Sequence, residues 1–169
     1  MSIMFIIMGT VANSGADRRM QFNISINQEK LRALISRAKS LSMNSLFQAG
    51  SQDCGYGVHL DQNRAIIFID RGPVCDHRFN GGEQVLGSSN EVIPKEGIYF
   101  ADMTSGAAVP GTFGGDGTAD IVFLPPDPTT YVNADSNRDI TLGVIASTAS
   151  MDQVKVIVER SGLITTRSR

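Results

Sequence analysis

The chain has no tryptophan, two histidines, two cysteines and six prolines in 169 residues. It also lacks any uncharged apolar run of the ~20 residues that a helix needs to cross a ~30 Å hydrocarbon core. The run at its start, "MSIMFIIMGTV", has nine apolar or glycine residues out of eleven and no charge. That is about half of a membrane span. A secretory signal peptide would join a basic segment to such a run, and none precedes it here, although small residues follow (Ala12, Ser14, Gly15, Ala16). The third reading is the second half of a longer hydrophobic helix.

Catalytic signatures are also missing. No G-x-S-x-G occurs. Ser36-Arg-Ala-Lys39 fits S-x-x-K but has no S-D-N or K-T-G companion, so it reads as an exposed helix turn. The glycine loop "GTFGGDG" is followed by neither Lys-Ser/Thr nor a helical pattern, so it does not cradle phosphate. With no constellation for catalysis and no cofactor motif, the chain reads as non-enzymatic.

The near-neutral net charge of -2 hides an asymmetry. Residues 1–50 carry Arg18, Arg19, Lys30, Arg32, Arg37 and Lys39 against Asp17 and Glu29, a net +4, while residues 51–169 carry a net -6. A basic front and an acidic body point to two surfaces with different neighbours.

The length fits one domain with a short appendage, large enough to bury a core without staples. Residues 27–47 contain no glycine or proline and place Leu31, Leu34, Ile35, Ala38, Leu41, Ser42 and Leu46 at helical spacing, with Lys30, Arg32, Arg37 and Lys39 off the stripe. Asn27 is the expected N-cap and Gly50 the stop. Gly15 and Asn23–Ser25 argue against one rod reaching back to residue 1.

No helical pattern recurs after residue 50. Short β-branched and aromatic runs follow instead: "GYGVHL", "RAIIFID", "EQVLG", "GIYFADM", "ADIVFL", "DITLGVIAS" and "QVKVIVER". Loops such as "AVPGTFGGDGT", "PPDPTT" and "NADSNR" separate them. Asp61-Gln62-Asn63 predicts a hairpin turn with Leu60 near Ala65. Ser161-Gly162 predicts a final strand over Leu163–Thr165. One helix followed by hairpin-linked strands is the pattern of an α+β fold, an N-terminal helix on antiparallel sheet.

Cys54 precedes the first hairpin strand and Cys75 follows the second, at the same open end. A disulfide, two free thiols, or a metal site with His59 and His77 are the readings. The C-x4-H and C-x-H spacings fit zinc poorly, and the disulfide is favoured. His59 alternates with Val58 and Leu60 and is expected on the polar face of its strand. Asn133, Asp135, Asn137 and Asp139 repeat at every second position like the start of a calcium loop. They lack the glycine and the later glutamate, so a polar turn is the simpler reading.

The order of these elements resembles the type IV pilin-like proteins, most closely the minor pseudopilin H and fimbrial T group. The resemblance rests on an apolar N-terminal helix end, an amphipathic helix ending "LISRAKSLSMNS", then "CGYGVHLD", "AIIFIDR", "GGEQV" and a closing "VKVIVERSGLI". It covers nearly the whole chain, through order more than through motifs. The basic leader, the glycine and the glutamate that open the family's chains are not among these residues. The resemblance implies that residues 1–22 are the end of a hydrophobic helix anchored in the inner membrane or a filament. It also implies that residues 23–169 form the head, with helix 27–47 and a β-rich region over 54–166. Leu31, Leu34, Ile35, Ala38 and Leu41 would then be the face under the head's sheet, and removing residues 1–22 should leave the head folded. The implied partners are other pilin or pseudopilin subunits, at the bacterial inner membrane, in the periplasm or in an extracellular filament. Arg167 and Arg169 lie where some fimbrial-T-like proteins are thought to hold DNA, but the acidic body would repel phosphates and a frayed charged tail serves as well. The rival class is a secreted β-rich module binding calcium or carbohydrate, with residues 1–16 as a weak signal peptide.

Overall fold

In the computed structural model, which describes residues 2–44, 53–72, 75–104, 117–125, 129–146 and 153–168, one helix α1 runs unbroken from Ser2 to Asn44. No proline occurs in this stretch, so no backbone donor is lost. Gly9 and Gly15 each cost about 1 kcal/mol relative to alanine, and the helix continues through both. The expected start at Asn27 is corrected. Ser25 Oγ donates to the Gln21 carbonyl at 3.1 Å, and Asn27 Nδ2 donates to the Asn23 carbonyl at 2.8 Å. Both side chains bond one turn back instead of capping a new helix. The expected helical residues 45–47 lie outside the described residues.

Two antiparallel sheets follow. The first comprises β1 (Asp53–Asp61), β2 (Arg64–Arg71), β3 (Gln84–Val85), β4 (Glu91–Val92), β6 (Ala119–Leu124) and β7 (Thr129–Val132). Its order is β3-β2-β1-β6-β7, and β4 also pairs with β2. The second comprises β5 (Ile98–Asp102), β8 (Ile140–Ala146), β9 (Gln153–Val158) and β10 (Ile164–Ser168), in the order β10-β9-β8-β5. The α+β class and the antiparallel pairing are as the sequence reads, and Leu60 does pair with Ala65.

The differences have local causes. β4 is two residues long, too short to show a period. β7 follows a proline-rich stretch that reads as loop, yet its Thr-Thr-Tyr-Val segment pairs with β6. The last strand begins one residue later than expected: Leu163 accepts a hydrogen bond from the Glu159 amide within the turn, and Gly162 takes a φ of 75° there. In the glycine loop, residues 111–116 lie outside the described residues.

A single apolar cluster joins α1 to both sheets. From the helix come Ile24, Leu31, Leu34, Ile35 and Ala38, all buried, with Met20 and Leu41 packed at the margin. Val58, Leu60, Ile67, Ile121 and Phe123 meet them from the first sheet, and Phe100, Leu142, Val144, Val156 and Val158 from the second. Four polar contacts fix the helix on this floor. Ser42 Oγ donates to the Phe123 carbonyl, Gln28 Nε2 to Lys155 O at 3.0 Å, Lys39 Nζ to Gly162 O at 2.8 Å, and Lys95 Nζ to Asn23 Oδ1 at 3.0 Å. Among the described side chains, packing thus reaches back to Met20, three residues ahead of the expected head boundary at residue 23.

Truncating Leu31, which is fully buried, should cost about 2–5 kcal/mol through lost burial and a residual cavity. Arg32→Ala, one residue along on the exposed face, should stay within about 0.5 kcal/mol. Urea unfolding of the two variants beside the parent checks both values.

Candidate functional site: the strapped face of the first sheet

Because side chains alternate along a strand, Val58 and Leu60 point to the helix while Gly57 and His59 point to the far side of the sheet. β2 sends Ile66, Phe68 and Asp70 to that same side, and β6 sends Asp120 and Val122. This second face is covered. Residues 75–83 cross it as a strap on the way to β3, and Phe68 is fully buried beneath, with all six interior residues of β2 buried. His59 is therefore not on a solvated face, as its alternation predicts, but only 9% exposed under the strap.

Gly57 makes room for this arrangement. It sits opposite Phe68 and Val122, and a Cβ there would lie 2.6 Å from the Phe68 ring. Phe79 of the strap enters the space above, with its ring centroid 5.3 Å from that of Phe68 and 4.5 Å from that of His59.

Two histidine–carboxylate pairs anchor the strap. His59 and Asp120 are direct cross-strand partners, with Nδ1 2.7 Å from Oδ1, and the other Asp120 oxygen accepts the Phe79 amide at 3.3 Å. His77 belongs to the strap itself. Its Nδ1 lies 3.0 Å from Asp70 Oδ2, and its ring stacks on Tyr131 at 4.0 Å. His77 has a φ of 57°, a left-handed conformation that turns the strap sharply down onto the sheet. Arg78 Nη2 donates to Asn133 O at 3.3 Å, just past β7, and at the other edge the chain leaves the strap as β3, whose ladder on β2 continues with Leu86 N to Ile67 O at 3.0 Å.

At the near end, Cys54 and Cys75 form a disulfide with Cα atoms 5.7 Å apart. The thiol and metal readings fall with it: the sulfurs are bonded to each other and the two histidines face different carboxylates.

Asp70, Asp76 and Glu83 bring a carboxylate oxygen each to within 4.8 Å of one another. Burial pushes Asp70 above the usual carboxylate range, opposed by the hydrogen bond and charge of His77 and assisted by Asp76. Burial also raises Glu83; the Asn80 amide opposes it and the charges of Asp70 and Asp76 add to it. Asp70 is buried, Glu83 half-buried and Asp76 exposed, so the two raised carboxyls are the two that lose water.

The other sequence candidates lie elsewhere. Asn133 and Ala134 both take positive φ, the geometry of a two-residue hairpin turn closed by the Val132–Asp135 bridge. Asn133 Oδ1 accepts the Asp120 amide, Asp135 Oδ1 the Asn137 amide and Asp139 Oδ1 the Arg160 amide. These side chains hold the turn and its neighbours. Arg167 is exposed on β10, and Arg169 lies outside the described residues. Ser36 is exposed on α1, while Lys39 is held by the Gly162 carbonyl.

Asp70, Asp120 and Phe79 are absent from the sequence candidates. One signal does mark the two aspartates. Each interrupts an apolar strand run, "AIIFID" and "ADIVFL", where an unpaired carboxylate would be too costly to bury.

Replacing both Cys54 and Cys75 by serine frees a loop of about 20 residues and should lower stability by up to about 3 kcal/mol. Loss should concentrate in the strap, so limited proteolysis should cut within residues 75–83 before the rest of the head. A variant with undiminished stability and protease resistance would show that the noncovalent anchors suffice.

Compared with protein-family models, with curated proteins and with solved structures, the chain matches none.

Proposed function

We propose that the chain is a structural subunit of the type IV pilin-like kind, a minor pilin or pseudopilin of a pilus or a type II secretion-like filament. What supports the reading is the helix. One 43-residue α1 has its C-terminal half inside the head's core, while its first half carries no charge before Asp17. At 1.5 Å per residue the stretch from Ser2 to Met20 adds about 27 Å along the axis. Phe22, just past it, is 67% exposed, an aromatic ring left in water by the head.

Among the described residues no helix is long and apolar enough to cross a membrane. In this reading residues 2–16 bundle with the equivalent helices of neighbouring subunits, at the inner membrane or in the filament. The basic residues Arg18, Arg19, Lys30, Arg32 and Arg37 are set against an acidic head. The two surfaces have opposite sign, as successive subunits in a stack require. In this reading the head is displayed and the helix is shared.

The test compares the whole chain with one lacking residues 1–19. The whole chain should sediment as oligomers and float with phospholipid vesicles. The shortened chain should be monomeric, remain in the aqueous fraction and keep the same circular dichroism in its β-rich region. A whole chain that is monomeric and does not float would overturn the reading in favour of a secreted module.

A further inference from the structure

The edge of a sheet presents unpaired backbone donors and acceptors that another strand can complete. Three edges of the two sheets are occupied or broken. On β5 the amides that face away from β8 are taken: Ile98 N donates to Lys95 O at 3.0 Å and Phe100 N to Gln62 O at 3.1 Å. On β7 the Val132 amide donates to Asp135 O of its own hairpin at 2.9 Å. Along β2 the outer ladder is interrupted, because the chain leaves it between Leu86 and Glu91.

β10 differs. Among the described residues β9 is its one strand partner. The Glu159 amide donates to Leu163 O at 2.9 Å, in the same register as the pairs Ile157–Thr165 and Lys155–Arg167. Hydrogen-bonded pairs alternate with non-bonded ones along an antiparallel ladder. Thr165 and Arg167 therefore turn their backbone groups to β9, and Ile164 and Thr166 turn theirs outward. Among the described residues nothing bonds the Ile164 or Thr166 amide. The strand has no proline and no register shift, two of the devices that blunt an edge.

Its one charge is uncompensated. Arg167 lies directly opposite Lys155, on the same face of the hairpin. Like charges in that position repel. Arg167 is exposed and Lys155 half-buried, and neither is in an ion pair among the described residues. The nearby acids of the hairpin, Glu159 and Asp139, stand at its turn, where Asp139 Oδ1 accepts the Arg160 amide. Positive charge is thus left at the end away from the turn.

We propose that the outer edge of β10 is a docking site for an acidic, extended segment of a partner protein, whose backbone pairs with Ile164 and Thr166 and whose carboxylate seats beside Arg167 and Lys155.

Two independent features of one strand call for the same ligand. The open edge calls for an extended backbone, and the Lys155–Arg167 pair for a carboxylate on the outer face. A residue opposite Arg167 on an added strand has its Cβ about 5 Å from that of Arg167. That is within reach of a charge-assisted hydrogen bond to the guanidinium. Main-chain bonds supply affinity and the carboxylate fixes the register. A nucleic acid has no backbone that continues a β-ladder, and the net charge of -6 over residues 51–169 repels its phosphates. The edge belongs to the head and is independent of how residues 2–16 associate.

Amide hydrogen exchange on the whole, oxidised chain tests the site. The probes are a short alternating threonine–valine peptide with glutamates on one face, its lysine counterpart, and a single-stranded oligonucleotide. In the free chain the Thr165 and Arg167 amides should be protected and those of Ile164 and Thr166 should exchange fast. The glutamate peptide should slow Ile164 and Thr166 severalfold and leave β5 and β7 unchanged. The lysine peptide should bind severalfold more weakly, and Arg167→Glu should reverse that preference. Thr166→Pro removes an outward donor and no bond to β9, so it should keep the fold and lose the peptide. Arg167→Glu leaves the backbone unaltered and decides the matter should Thr166→Pro unfold. Four results would overturn the proposal: Ile164 and Thr166 as protected as their neighbours in the free chain, no change on adding the glutamate peptide, equal binding of both peptides, or stronger protection by the oligonucleotide.

Discussion

The burial of one face of α1 against both sheets is the constraint on which the rest depends. Neither sheet closes on itself. Each has an apolar face of β-branched and aromatic side chains, and α1 is the element that covers both. Ile24, Leu31, Leu34, Ile35 and Ala38 meet Val58, Ile121 and Phe123 on one side and Leu142, Val144 and Val156 on the other. Fully burying a side chain of this size contributes about 1.5–3 kcal/mol. Ser42, Gln28 and Lys39 then set the helix's position along its axis by bonding strand and turn carbonyls. The helix in turn leaves the far face of the first sheet to be covered by something else, and the strap is that cover.

The two faces of the first sheet are solved differently. The helix side is apolar throughout. The strap side mixes Phe68 and Phe79 with two histidines and two aspartates, all buried or nearly so. An apolar cover would be the simpler way to stabilise that face, since buried ion pairs seldom add net stability. A covalent tether at one end and histidine–carboxylate contacts along the length hold the strap on that face. It lies on the opposite face of the sheet from α1, apart from the helix packing that holds the head together.

Much of this was legible in the sequence, and the failures have physical reasons. The stripe from Leu31 to Leu41 reads directly because helical period and burial coincide there. The β1–β2 hairpin reads because Asp61-Gln62-Asn63 separates two unambiguous runs. Asn27 misleads because asparagine serves equally as a cap and as a side chain bonded one turn back; which it does depends on whether the preceding residues are helical. His59 misleads because alternation gives the face but not what covers it. The pairing of His59 with Asp120 spans 61 residues and that of His77 with Asp70 depends on a left-handed turn. Neither is a periodic signal. The two aspartates inside apolar runs were the available clue, and it points to a partner without naming it.

The central claim is that α1 is an internal component of the head. It is tested most directly by producing residues 53–169 without the helix and measuring their unfolding cooperativity. The account predicts a collapsed or aggregating chain with no cooperative transition, restored when a separate peptide of residues 20–44 is added. A cooperative transition and native-like near-ultraviolet circular dichroism in residues 53–169 alone would contradict it.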